Sequence, residues 1–232
     1  MYRETTCSPI IRFRDTSINV FASLSLTAPF RVSAQRVRWR GTLKLVPCVA
    51  IDSSWDDVRM HRELLEWAFE YAADPGLFRS IAFVFEGPTD LDEHAFEAAM
   101  WARIQSLADK DAWLEQPHDE RVSADPSDPH FSLSFGGEAF FVVSLHPNAS
   151  RPARRFESPV LVFNLHDQFE QLRTENRYET IRSKILERDE MLAGSANPML
   201  ARHGEASEAR QYSGRMVDED WQCPYVDPRS KA

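Results

Sequence analysis

The sequence predicts an α/β fold of the α+β kind: a single domain with a mixed, partly antiparallel sheet flanked by helices and a C-terminal tail that wraps back onto it. Three observations predict this. Apolar runs of strand length alternate with stretches of helical period. A Gly136-Gly137 pair separates two apolar arms as a hairpin, since adjacent glycines supply the positive φ values of a tight turn. Strand and helix signals interleave, so the hairpin and α/β crossovers must share one sheet. At 232 residues and 43% hydrophobic residues the chain can bury one full core, and one domain is the default at this size. A doubly wound parallel sheet is the alternative.

Each element has a local cause. Thr42 to Ile51 reads as a strand, bent or placed at an edge by Pro47. Ser53 or Ser54 can cap a helix from Trp55 to Ala73, with Val58, Leu65, Phe69 and Ala72 as its apolar stripe and Asp56 and Asp57 in the first turn, where the helix dipole favours anions. Ser80 to Phe85 is an apolar strand ended by Gly87-Pro88. A second helix follows from a cap at Asp90 to about Ala108, burying Phe96, Met100, Ile104 and Leu107. Gln116 to His130, rich in Pro and acidic residues, is a long loop. The hairpin arms are Phe131 to Phe135 and Ala139 to Leu145. Val160 to Leu165 is a strand, His166 to Arg173 a short helix, and Tyr178 to Leu192 a longer one with Ile181, Ile185 and Leu192 inward. From Gly194 onward periodicity fades, yet Asn197-Pro198, Tyr212, Trp221 and Tyr225 argue for a tail that packs on the domain.

The formal net charge of −9 argues against non-specific binding to nucleic acid or an anionic membrane, both of which are polyanions. Cys7, Cys48 and Cys223, odd in number and widely spaced, build neither a disulfide framework nor a CxxC zinc site, which points to a reducing, cytoplasmic setting. No apolar run approaches the roughly 20 residues of a membrane span. Residues 1–40 form an irregular basic segment, with Arg3, Arg12, Arg14, Arg31, Arg36, Arg38 and Arg40 among Ser and Thr; a transit peptide and a frayed, extended start both account for it. Residues 41–226 are the domain and 227–232 a short tail.

The densest chemistry is the run His146 to Phe156 (HPNASRPARRF), directly after an apolar strand. Arg151, Arg154 and Arg155 offer guanidinium forks that bind carboxylate or phosphate, and two prolines stiffen the loop; a solvated basic loop is the bland reading. His146 and His166 each follow an apolar strand, where imidazole can ligate metal or haem iron or simply pack. Cys223-Pro224 is compatible with thiolate ligation of haem, but as a two-residue pattern it is weak beside the commoner reading, a small buried thiol next to Trp221 and Tyr225. Glu208 to Arg215 could close over a small polar substrate or merely cover the core. HExxH, Walker-type GxxxxGK, GxGxxG and HxE-PCxxC patterns are absent, so zinc-hydrolase, nucleotide-hydrolase, Rossmann and deaminase readings lose support.

Read together, FEGP at Phe85 to Pro88, the stretch from SADPSDPHFS through FFVVSLHPNASRPARRF, VFNLHDQFEQLR at Val162 to Arg173, IRSKILERDEMLAGSANPML, EARQYSGR and WQCPY resemble the YqcI/YcgG family from about Thr42 to Tyr225. Within it they are similar to the haem-dependent N-hydroxylases of guanitoxin biosynthesis. The resemblance implies a haem b enzyme that uses O₂ and an electron donor, a protein or a small reductant, to hydroxylate a nitrogen of a guanidine- or amine-bearing amino-acid-like substrate. The residues offer a compatible set of parts: His146, at the end of the apolar strand, is first choice for the iron, with His166 and Cys223 behind it, and Arg151 and Arg155 are candidate partners of the propionates. Glu208, Glu170 and Asp189 are then candidates to hold a cationic guanidinium. Two other classes stay open: a haem-binding or haem-sensing module without turnover, and a non-haem domain binding an anionic small molecule. A homodimer through the tail is a further expectation.

Overall fold

A computed structural model describes residues 37–39, 43–195, 199 and 204–231. Residues 1–36 and Asn197-Pro198 lie outside them, and with them most of the basic segment. Strands β1 (Val37–Trp39), β2 (Leu43–Ala50), β3 (Ser80–Gly87), β4 (Leu133–Phe135), β5 (Glu138–Leu145) and β6 (Val160–Leu165) form one mixed sheet in the order β1-β2-β3-β6-β5-β4. Only β2 and β3 run parallel, and α1 (Asp57–Ala73) is their crossover. All other neighbours are antiparallel. Helix α2 (Glu93–Trp113) follows β3, and α3 (Asp167–Thr174) and α4 (Tyr178–Ala193) follow β6.

The central strands are apolar on both faces, and their period of two divides the core. Ile81, Phe83, Phe85, Phe140, Val142, Leu161, Phe163 and Leu165 face α1 and α2 in the larger cluster. Ala82, Val84, Val143, Leu145, Val160 and Val162 line the other face with Phe156. His146, one residue beyond β5, continues the alternation of Val142 and Ser144 and so falls on the side of α2.

Helix α2 buries Phe96, Met100, Ile104 and Leu107 as the periodicity requires. Its cap is Asp92 rather than Asp90, with the carboxylate accepting from Ala95 N at 2.8 Å, and the helix continues to Trp113. In α1 the buried face is rotated from the expected stripe. Met60, Leu64, Trp67, Ala68 and Tyr71 face the core, whereas Val58 and Phe69 are exposed. The polar residues sharing the buried face mislead the hydrophobic pattern: His61 meets Asp111 at 2.9 Å and Glu63 meets Lys44 at 2.8 Å, so both are buried as paired groups. In α4 the expected Ile181, Ile185 and Leu192 are not buried, and Leu192 is exposed; the buried residue is Asp189.

Two polar devices hold the ends of the hairpin. Asp111, fully buried, accepts from Gly136 N at the turn and pairs with His61 and Arg229. Gly136 has a φ of 60°, a backbone conformation that favours glycine, and a Cβ there would also crowd Leu65 Cδ1 at 2.8 Å and Ala68 Cβ at 3.2 Å. The short helix α5 (Ala209–Tyr212) lies along β5 where β4 has ended. Ser144 Oγ donates to Tyr212 O at 2.6 Å, while the Tyr212 hydroxyl donates to Phe140 O, which covers an otherwise open strand edge. Tyr212 and Tyr225 are both buried around Trp101 and Phe131.

Candidate functional site

The loop after β5 is built to hold His146. Backbone bonds from His146 N to Arg154 O (3.1 Å) and from Phe156 N to His146 O (3.3 Å) close residues 147–153 into a compact excursion. Asn148 donates to Leu91 O, and Ser150 donates through both N and Oγ to Glu93 Oε1, at 2.9 and 2.8 Å. The loop is thereby tied to the start of α2. The same helix supplies Phe96, whose ring stacks on His146 with centroids 4.1 Å apart and planes 15° off parallel.

His146 is buried and its Nδ1 has no hydrogen-bond partner. Desolvation lowers its pKa, and Glu93 opposes that shift only in part, so the imidazole is neutral at neutral pH. A neutral imidazole nitrogen without a partner is the form that ligates a metal. Leaving such an atom buried and unsatisfied costs about 1–3 kcal/mol.

The arginines divide by role. Arg151 is buried, ion-paired with Asp189 and bonded to Ser195 O, and its Nε is unpartnered. This pair joins the loop to α4, so Arg151 and Asp189 are committed first to each other. Arg155 is exposed, with Nε on Ala149 O and Nη2 on Ser150 O. Arg154 donates to Ser144 O at 3.2 Å and Gln211 O at 3.1 Å, and burial lowers its pKa to about 10. Gly214, with a φ of 80°, makes room for it: a Cβ there would stand 3.0 Å from Arg154 Cγ.

His166 sits at the opposite end of the sheet. Its backbone N bonds Ala139 O at 2.8 Å, and Ala139 precedes His146 by seven residues, about 24 Å of strand at 3.4 Å per residue. The two histidines therefore cannot share one metal. His166 Nε2 lies 3.4 Å from Glu208 Oε1, and Glu208 Oε2 accepts from Ser132 Oγ at 3.1 Å. Two residues read separately from the sequence, one for iron and one for substrate, thus form one buried pair. Glu170 is exposed and bound to Arg173 on the same helix. Cys223 is partly buried beside the core, and burial pushes its thiol up to about 12, which disfavours the thiolate.

Two neighbours of this loop were not legible as site residues. Glu93, which anchors the loop, reads in sequence as an ordinary acidic first turn. Glu97, one turn on, is buried with Arg215 Nε at 2.8 Å and Ser213 Oγ at 2.9 Å, beside Cys223. Among the described residues there is no ready-made cluster of three or more His, Cys, Asp or Glu for a metal ion, and no helix is long and apolar enough to cross a membrane.

Comparison with known proteins agrees with this picture at the level of family. An uncharacterized protein YcgG from Bacillus subtilis (strain 168) is 28% identical over 185 residues, covering 72% of this chain and 70% of its own. No solved structure matches the chain. The YqcI/YcgG family matches residues 31–226, which include every strand and helix around the His146 loop, and the chain belongs to that family.

Proposed function

We propose that this protein is a haem b-dependent N-oxygenase that hydroxylates a guanidine- or amine-bearing amino-acid-like substrate. The observation that carries the reading is His146: a buried, neutral imidazole with an uncommitted Nδ1 at the end of an apolar strand. Among the three candidate iron ligands, His146 offers a ring nitrogen without a hydrogen-bond partner, whereas His166 Nε2 faces Glu208 and the Cys223 thiol is held protonated. Haem bound there would supply O₂ activation, one oxygen atom entering the N–H bond and the other leaving as water with two electrons and two protons from a reductant.

This chain's own residues do the positioning. Phe96 fixes the plane of the His146 ring, and the bonds from Ser150 to Glu93 fix the loop that carries it. Arg155, exposed at the loop surface, is the guanidinium that can meet a propionate. The apolar ends of β5 and β6 keep water from the face behind His146. The partners implied are a small-molecule substrate and an electron donor.

The test is to produce the protein with haem supplied and record its absorption spectrum, then incubate it with L-arginine, O₂ and a reductant. A Soret band and a product one oxygen heavier, dependent on all three additions, are expected. Colourless protein contradicts the reading. A Soret band without product under any reductant leaves a haem-binding module without turnover as the better account.

A further inference from the structure

We propose that Arg154, together with the free Nε of Arg151, is a carboxylate-binding site beside His146, and that its ligand is the carboxylate of an amino-acid substrate. This deepens the oxygenase reading by naming the substrate's second anchoring group. Arg154 has no carboxylate partner among the described residues: it donates to two backbone carbonyls, Ser144 O and Gln211 O. Asp189, the acid that acts on it, is already bonded to Arg151. Two guanidinium groups thus share one carboxylate, and a positive charge is left over.

Charge of this kind is costly to keep inside a protein unless a counter-charge arrives. The residues around it hold the site ready. Arg151 caps the 3₁₀ turn Pro152–Arg154 with extended backbone, and the two guanidinium charges act on each other. Arg154 N bonds Arg151 O at 2.9 Å, and the missing Cβ of Gly214 leaves room for the Arg154 stem. The Arg151 residue is only 8% exposed, yet its Nε has no partner. Arg154 itself keeps some exposure, so a ligand can reach it. One surplus positive charge suits a monoanion, whereas a phosphate dianion would leave a net negative charge in its place. The site lies on the His146 loop, whose backbone meets Arg154 O.

The experiment is a pair of calorimetric titrations on protein prepared without haem. L-Arginine and agmatine share a guanidinium and differ in the carboxylate. Wild type is expected to bind L-arginine at least about ten-fold more tightly than agmatine, and Arg154→Met to lose that difference. Haem and its dimethyl ester form the second pair. A preference for the free acid that Arg154→Met abolishes keeps the site and assigns its carboxylate to the porphyrin. No preference in either pair, or one that Arg154→Met leaves intact, overturns the proposal. Arg154→Lys, which retains a cation without the fork, is read in the same way and serves if the methionine variant does not fold. Neither titration needs turnover, so the site can stand while the oxygenase reading falls, and the reverse.

Discussion

At the scale of single residues, the polar groups buried in this protein are of two kinds. Asp111 is the first kind, a buried carboxylate whose partners His61, Gly136 N and Arg229 surround it completely. Arg229 would keep Asp227, but Asp111→Ala would leave His61 Nε2 and the Gly136 amide without this partner, and a loss of about 1–3 kcal/mol in urea denaturation is expected. A loss below about 1 kcal/mol contradicts that role. His146 is the second kind, with the loop bonded all around it and its Nδ1 left over. The sequence marked His146 through its place after an apolar strand. It had no means of ranking Arg151, Arg154 and Arg155, because three arginines within five positions carry no period; only the bonds in space show that Arg151 is paired with an acid, that Arg155 lies exposed on backbone carbonyls, and that Arg154 meets backbone carbonyls further inside. Nor could it join His166 to Glu208, which are 42 positions apart, since residues so distant meet only through the fold.

At the scale of elements, strands were the most legible because both signals agreed: apolar runs bounded by Gly or Pro became β3, β5 and β6 within a residue or two. Helices were legible in place and less so in face. In α1 the buried His61 and Glu63 broke the apolar stripe, and in α4 the residue that faces inward is charged. That charge has a mechanical consequence. Helix α4 buries Asp189 rather than an apolar ridge, so its docking rests heavily on the bond to Arg151. Asp189→Asn is expected to speed hydrogen exchange of the α4 amides at least about ten-fold while β5 and β6 keep their protection. Unchanged exchange in α4 would show that other contacts dock it.

At the scale of the whole molecule, acidity is the lever that reaches the loop-to-hairpin contacts together. Burial raises the carboxylates of Asp119 and Asp227, but hydrogen bonds and charge from Arg121 and Arg229 outweigh it, and both end below the ordinary 3.8. A carboxylate whose folded pKa is depressed adds stability above its unfolded value, and that stability is lost as pH falls through the folded value. His118 adds a contribution of the same sign at milder acidity. Burial and Arg229 lower its pKa beneath 6.5, so the unfolded chain takes up a proton first. The urea midpoint is therefore expected to fall as pH drops below about 6.5 and more steeply below about 4, with Asp227→Asn flattening the lower limb. A midpoint flat down to pH 3 contradicts this. The central claim is that this fold presents His146 to haem iron, and the most direct measurement compares absorption spectra of His146→Ala and His166→Ala with wild type, all produced with haem. The account predicts a Soret band that is lost or shifted in His146→Ala and retained in His166→Ala. A band unchanged in His146→Ala would contradict it.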